Sequence, residues 1–334
     1  MEKVITSRFN EDITNLAAER YGISSTDLTK LDGFESYIFK YSKNGIGYIL
    51  RIAHSIRRSE ILIKAEVEWI KYLASNGVSV ADAVLSENGN LVEAIPDGAS
   101  GFFLVTSFLE VHGKPPYAFG WSEELFITYG ALIGKMHKLA KMYSPTDPQI
   151  QRPLWNSNEM NGDVVDNIPS DQPAVKKRYQ EIITHLENLE QSRESFGLIH
   201  FDAHGGNMLV DDAGQINLFD FDDCNRNWFI NDIAVVLFYM VTNAQNPEEL
   251  TNIFLPLFLQ GYARENKLDP KWLSEIPVFL RMREIDLYAV IHRSMDQSKL
   301  TGWCKQFMDG RKERITNSTP YVNLDFSTFA NYLS

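Results

Sequence analysis

Apolar positions along this chain follow a helical period in some stretches and alternate in others, and the switch between the two divides it. Over residues 10–21, Ile13, Leu16 and Ala17 recur at three- and four-residue spacing ahead of Gly22, so the pattern predicts one short helix. Short runs of strand formers follow at 28–31, 36–41 and 47–53, separated by Asp32-Gly33-Phe34-Glu35 and Lys43-Asn44-Gly45. A helix is predicted for 59–75, then strands at 83–86, 91–95 after the Asn88-Gly89 turn, and 102–108. Beyond Pro115-Pro116 the period becomes helical, with helices expected at 122–143, 174–191, 233–242, 247–262 and 270–295. Pro256 predicts a break or kink in the fourth of these. The exception lies at 208–219, where two short apolar runs flank the turn residues Asp211-Asp212-Ala213-Gly214 and predict a hairpin. The expected fold class is α+β, divided into a sheet-containing part, 1–107, and a mainly helical part, 108–334.

Composition narrows the class without naming a chemistry. A length of 334 residues with 44% hydrophobic positions supports about two domains with sizeable cores. Cys224 and Cys304 stand far apart and form no paired motif, which argues against a disulfide framework and for a reducing compartment. The opening residues carry no apolar signal core, and the longest apolar run, 233–241, is too short to span a bilayer, so a cytoplasmic protein is expected. A net charge of -12 disfavours nucleic acid and anionic membrane as partners, since both demand clustered cations.

Candidate chemistry concentrates around the predicted hairpin. Asn207 immediately precedes one arm and Asp220 ends the other, so antiparallel pairing makes neighbours of an amide oxygen and a carboxylate. Hard oxygen ligands of this kind suit Mg2+, which binds one or two carboxylates and leaves its other positions to water and substrate phosphates. Asp202, five residues before Asn207, lies on the adjoining loop and is placed to accept a proton from an attacking hydroxyl. His200, between Ile199 and Phe201, reads as a buried strut of that loop, and His204 as either a phosphate contact or loop packing. Asp232, ahead of the run 233–241, reads as a helix N-cap or loop tether. In the sheet-containing part, alternation puts Arg51 on one strand face with Ile49 and Ala53. In the following helix Glu66 shares a stripe with Leu62, Trp69 and Leu73, whereas Glu68 aligns with Lys64 and Lys71. A carboxylate on an apolar stripe needs a partner, so Glu66 is expected to reach Arg51 and Glu68 to stay solvated.

The order His200-Phe-Asp202, Asn207, then Asp220-Phe-Asp-Asp and Asp232-Ile-Ala resembles the catalytic loop and metal motif of the aminoglycoside phosphotransferase and choline kinase-like group within the protein kinase-like superfamily. The segment Gly130 to His137 is similar to the helix that this family places under the catalytic loop, which implies packing for His137. Phe201 stands where the family commonly has glycine, and His204 where protein kinases usually carry lysine. The resemblance implies a two-lobed protein kinase-like fold, with a small antiparallel-sheet N-lobe and a larger, mainly helical C-lobe, that uses ATP and Mg2+. ATP is expected between the lobes, with its adenine near Ser107 and Leu109 and its phosphates under the Gly33 and Ser36 turn, held by Arg51 and Glu66. Asp202 would act as base with His204 beside it, and Asn207 and Asp220 would hold the metal. Acceptor contacts are expected from Trp155, Glu159, Glu284, Asp286, Tyr288 and Trp303. The implied activity is γ-phosphate transfer to a hydroxyl of a small molecule of aminoglycoside, choline or homoserine type. Alternatives are a bacterial-type protein serine/threonine kinase, a catalytically silent nucleotide-binding regulator and, less economically, a metal-dependent phosphatase.

Overall fold

A computed structural model describes residues 3–33 and 35–333, so Phe34 of the predicted phosphate turn lies outside the described residues. The chain forms two compact units, Met1–Lys114 with Tyr143–Arg152 and Leu209–Asp222, and Pro115–Met142 with Pro153–Met208 and Asp223–Ser334. The first is built on an antiparallel sheet. Its strands β1 (Thr29–Leu31), β2 (Tyr37–Lys43), β3 (Ile46–His54), β4 (Ala83–Val84), β5 (Glu93–Pro96) and β6 (Phe102–Leu109) run in the order β1-β2-β3-β6-β4, with β5 also paired to β6. Helix α1 (Lys3–Arg8) was absent from the predicted pattern, whereas α2 (Glu11–Arg20) is the expected first helix, capped by Asn10 Oδ1 accepting from the Ile13 amide at 3.1 Å. Ile13 and Ala17 from α2, and Tyr21 that caps it, pack with Leu50, Ile52, Phe103 and Val105 of the sheet to make one core.

Helix α3 (Glu60–Ser75) starts at Ser59, whose hydroxyl accepts from the Leu62 amide, and buries Ala65, Glu66, Trp69 and Leu73. Glu68 is half-buried and accepts from the Thr146 amide at 2.6 Å, so the expectation of a fully solvated side chain is corrected: segment 143–152 folds over α3 and turns that carboxylate into a cap. Tyr143 packs edge-on against Trp69 in the same layer. The predicted hairpin forms as β8 (Met208–Val210) and β9 (Ile216–Leu218), and main-chain bonds from Lys114 to Val210 and from Leu218 to Ser79 tie it into the first unit.

The second unit is mainly helical. It contains α4 (Glu123–Ala140), α5 (Asn158–Asn167), α6 (Pro173–Glu187), α7 (Phe229–Val241), α8 (Pro247–Glu265), α9 (Ile276–Ser294), α10 (Gly302–Met308) and α11 (Arg311–Thr316), with β7 (Phe196–Ile199) paired antiparallel to β10 (Asn225–Trp228). The break expected at Pro256 does not occur, because α8 runs through it. A proline inside a helix costs about 3 kcal/mol, and the burial of Phe254, Leu255, Phe258 and Leu259 on either side offsets that cost. The helix expected over 270–295 divides into a 3-10 turn, Pro270–Glu275, and α9, because Pro277 in the first turn of α9 has no amide to continue the preceding turn. Among the described residues, no helix is long and apolar enough to cross a membrane.

Helices α4 and α8 approach closely enough for glycine to be required. A Cβ added at Gly130 would collide with the Phe258 carbonyl, one at Gly261 with the Ile127 carbonyl, and one at Gly134 would come within 2.6 Å of the Tyr262 carbonyl. Backbone cannot yield as a side-chain tip does. Gly130→Ala is therefore expected to destabilise the protein by about 2–3 kcal/mol, the scale of core overpacking, read from the midpoint of urea unfolding. An unchanged midpoint would show that the helices can part without loss.

Candidate active site

The loop between β7 and β8 is held from below by a buried polar chain in the second unit. Asn266 Nδ2 donates to the Tyr262 hydroxyl at 2.8 Å, and that hydroxyl lies 2.9 Å from His137 Nδ1. His137 Nε2 is 3.1 Å from Asp232 Oδ2. Burial lowers the His137 pKa, and the Asp232 carboxylate works in the opposite sense. Asp232, in the first turn of α7, then accepts the His200 amide at 2.8 Å and the Phe201 amide at 2.6 Å. It is a loop tether, as one of the two sequence readings had it, and α7 is capped by Trp228 without a side-chain bond. His137 has the packing part expected of it.

Those two bonds fix an unusual backbone. Phe201 has φ +70, the left-handed region that glycine enters freely and a bulky side chain rarely does. The backbone there has the conformation that glycine adopts freely, with a side chain added. The Phe201 ring is buried, and the Arg283 guanidinium lies 5.3 Å from its centroid. His200 behaves as a strut, its Nδ1 accepting from the Asp202 amide at 3.3 Å in a fully buried position.

Asp202 is surrounded by donors. Asn207 Nδ2 donates to its main-chain oxygen at 2.9 Å and to Oδ2 at 3.1 Å. That orientation turns the other end of the Asn207 amide, its oxygen, away from Asp202. His204 Nδ1 accepts the Gly206 amide at 2.9 Å, so the ring proton sits on Nε2, which faces Asp202 Oδ2 at 3.4 Å. Arg283 Nη2 donates to Asp202 Oδ1 and to the Tyr239 hydroxyl, the latter at 2.7 Å. Burial pushes the Asp202 carboxyl up, yet Arg283, His204 and His200 together hold it below the usual carboxylate range. Tyr129 supports the loop by donating to the Ala203 carbonyl.

In the first unit, Arg51 on β3 and Glu66 on α3 form a two-pronged ion pair, with Nη1 to Oε1 at 2.7 Å and Nη2 to Oε2 at 2.8 Å. Arg51 is 8% exposed and Glu66 0%, so the pair is desolvated. Burial disfavours the guanidinium charge, but Glu66, with Asp222 and Asp220 beyond it, raises the Arg51 pKa above its ordinary value. Asp222 is itself the centre of an arginine group that the sequence reading missed. Arg58 Nε lies 3.2 Å from Asp222 Oδ2, and Arg152 joins the Asp222 carbonyl to that of Leu62. The extra acid in Asp220-Phe-Asp-Asp was its one sequence signal. Asp220 is exposed with φ +64. Gly33 is needed because a Cβ there would strike the Ser36 carbonyl, and Ser36 itself is half-buried. Ser107 is buried with its hydroxyl 2.9 Å from that of Tyr41, and the Leu109 amide already donates to the Asp82 carbonyl.

The expected acceptor residues separate. Trp155 is buried against Trp228 with its indole N–H unpartnered, Glu159 is exposed on α5, and Tyr288 donates to Gln172 Oε1 at 2.7 Å. Trp303 stacks on Phe307. Glu284, itself fully buried, is clamped by Arg281 and Arg311, and the second of these ties α11 to α9. Asp286 has an unpartnered Oδ1, and burial raises its pKa to about 7 even though Arg283 works against the rise. Arg283 was missed although its neighbours were named. The available signal was its position in a helix buried nearly all round, where every charge requires a counter-charge.

A carboxylate locked by an amide and an imidazole on a short loop, and an arginine fork braced by a helical glutamate, are compatible with phosphoryl transfer to a hydroxyl. The sequence profile of the Phosphotransferase enzyme family matches residues 29–275, and the chain belongs to that family, as a kinase with an alcohol group as acceptor. It is 37% identical over 332 residues to the amicoumacin kinase of Bacillus subtilis, covering 98% of each chain. Among solved structures it is similar to amicoumacin kinase hAmiN in complex with AMP-PNP, Ca2+ and Ami, at a TM-score of 0.92 and 36% identity, covering 98% of this chain and 99% of that one. A microcompartment-associated aminopropanol kinase, at a TM-score of 0.72 and 20% identity over 92% of this chain and 98% of that one, shares the fold. The α+β protein kinase-like fold is thereby established.

Proposed function

We propose that this protein transfers the γ-phosphate of ATP to a hydroxyl of amicoumacin or of a closely related small molecule. The observation that carries the reading is the 37% identity to an amicoumacin kinase over essentially the full length of both chains. Residues 1–107 would serve the nucleotide and 108–334 the acceptor. Arg51, held by Glu66, would contact phosphate oxygens, with Gly33 and Ser36 covering them and Ser107 and Leu109 beside the adenine. Asp202, oriented by Asn207 and faced by His204, would accept the acceptor's hydroxyl proton. In the transfer, the acceptor oxygen forms a bond to the γ-phosphorus, the bond from that phosphorus to the β–γ bridging oxygen breaks, and ADP leaves with the electron pair.

The donor set fits Mg2+. Because Asn207 Nδ2 is committed to Asp202, its amide oxygen is the end left for a cation, and Asp220 adds an exposed carboxylate. Mg2+ keeps its remaining positions for water and nucleotide phosphates. When bound, the metal would offset negative charge on the transferred group. Trp155, Glu159, Glu284, Asp286 and Tyr288 remain the acceptor-side candidates of this proposal.

The test is phosphorylation of amicoumacin by the purified full chain with ATP and Mg2+, followed by mass spectrometry, beside an aminoglycoside, choline, homoserine and a generic protein substrate. The expected result is a singly phosphorylated amicoumacin, with chelation of Mg2+ abolishing transfer. Transfer to another member of the panel but not to amicoumacin would overturn the acceptor. ATP binding without transfer to any of them would favour a silent regulator.

A further inference from the structure

Resting on the reading of Asp202 as the base, one arrangement on α9 points to how that base is controlled. Oδ1 of Asp202 is occupied by Arg283 Nη2, and Oδ2 takes the Asn207 amide and faces His204. A carboxylate bound in this way is a weaker proton acceptor, and the guanidinium competes with a hydroxyl for Oδ1. Arg283 is 9% exposed, and its Nε has no hydrogen-bond partner. One helical turn further along, Asp286 is 7% exposed, and its Oδ1 also has none. Each orphan carries a substantial penalty for buried, unsatisfied polarity, and the two are on neighbouring side chains of opposite charge. Moving the guanidinium from Asp202 to Asp286 would satisfy both and replace one ion pair by another. The Phe201 and Tyr239 rings, 5.3 and 5.2 Å from the guanidinium carbon, offer flat faces along which it can shift.

We propose that Arg283 is a two-position latch, paired with Asp202 in one position and with Asp286 in the other, and that an acceptor hydroxyl takes its place at Asp202 Oδ1 in the second. It is a positioning residue, acting through Asp202. The latch keeps the base from activating water, whose oxygen would otherwise attack the γ-phosphorus and release inorganic phosphate and ADP. Asp286 must be ionised to draw the guanidinium. It is faced by Arg283 on its own helix, by Asp223 ahead of β10 and by Tyr179 on α6; burial and Asp223 raise its pKa to about 7, and Arg283 opposes the rise. As pH falls through that value Asp286 gains a proton, the latch stays on Asp202, and kcat declines.

The experiment compares wild type, Arg283→Gln, Arg283→Lys, Asp286→Asn and Asp202→Asn in the full chain. It measures acceptor-independent ATP hydrolysis, and kcat and KM for amicoumacin phosphorylation against pH, with circular dichroism to confirm folding. Arg283→Gln is expected to raise hydrolysis about tenfold, with Lys restoring part of the restraint. Asp286→Asn is expected to lower kcat about tenfold with KM for ATP little changed, and to remove the pH dependence near 7. If Arg283→Gln fails to fold, Arg283→Lys must show the smaller rise. Wild-type hydrolysis in the Arg283 variants, or a wild-type pH profile in Asp286→Asn, overturns the latch. If those variants behave as wild type while Asp202→Asn is inactive, the latch alone fails; if Asp202→Asn transfers phosphate normally, the base assignment itself fails.

Discussion

Asp202→Asn is expected to lower kcat for acceptor phosphorylation by about a thousandfold while leaving nucleotide affinity within about twofold of wild type, within the usual range for removing a positioned general base. The substitution keeps the shape of the side chain and an oxygen able to accept from Arg283, so the loop should stay in place. What it removes is the negative charge and the lone pair proposed to take the hydroxyl proton. The nucleotide is assigned to other residues, chiefly Arg51 and Glu66, whose ion pair is closed within the first unit at 2.7 and 2.8 Å. Loss should therefore fall on kcat and not on ATP binding. Steady-state turnover and titration with a non-hydrolysable ATP analogue measure the two quantities. Turnover within about tenfold of wild type would remove Asp202 from the base position, since removing a general base costs at least ~10².

How far the sequence foretold this arrangement depended on whether a residue's surroundings are local. Glu66 could be told from Glu68 because a helix repeats every three to four residues, and a carboxylate among Leu62, Trp69 and Leu73 demands a partner. Arg51 answered that demand from the one strand whose alternation placed it opposite. The hairpin at 208–219 was equally local, since turn chemistry and two apolar runs specify it together. By contrast β10 reads Asn225-Arg-Asn-Trp, with no alternation to mark it, and is a strand only because Phe196–Ile199 lies alongside. Pro256 gives no break for the same reason: local chemistry disfavours a helix there, and packing against α4 outweighs it. Arg283 is the strongest case. Its importance comes from Asp202, 81 positions earlier, and no spacing rule connects them.

Asp232→Ala should have the largest effect on stability, about 3–5 kcal/mol, together with a steep loss of activity in whatever fraction stays folded. The side chain is fully buried and accepts from the His200 amide, the Phe201 amide and His137 Nε2. Alanine leaves two main-chain N–H groups and the Nε2 of His137 without partners in a buried site, each worth about 1–3 kcal/mol. Relief of backbone strain offsets part of that loss. Phe201 sits at φ +70, a conformation costing of order 1–3 kcal/mol for a residue with a side chain, and its bond to Asp232 Oδ1 is what holds it there. Released, the loop should relax toward ordinary φ and carry Asp202, the next residue, away from Asn207 and Arg283. A displacement of about 1 Å at a reacting group lowers turnover on the order of 10²-fold. Asp232→Asn should fall between wild type and alanine, because its amide nitrogen would confront one of the three donors while its oxygen still accepts from another. Urea unfolding gives the stability and kcat below the transition gives the activity. An alanine variant within about 1 kcal/mol of wild type, roughly the median effect of any substitution, would mean that the left-handed turn at Phe201 holds itself without the tether.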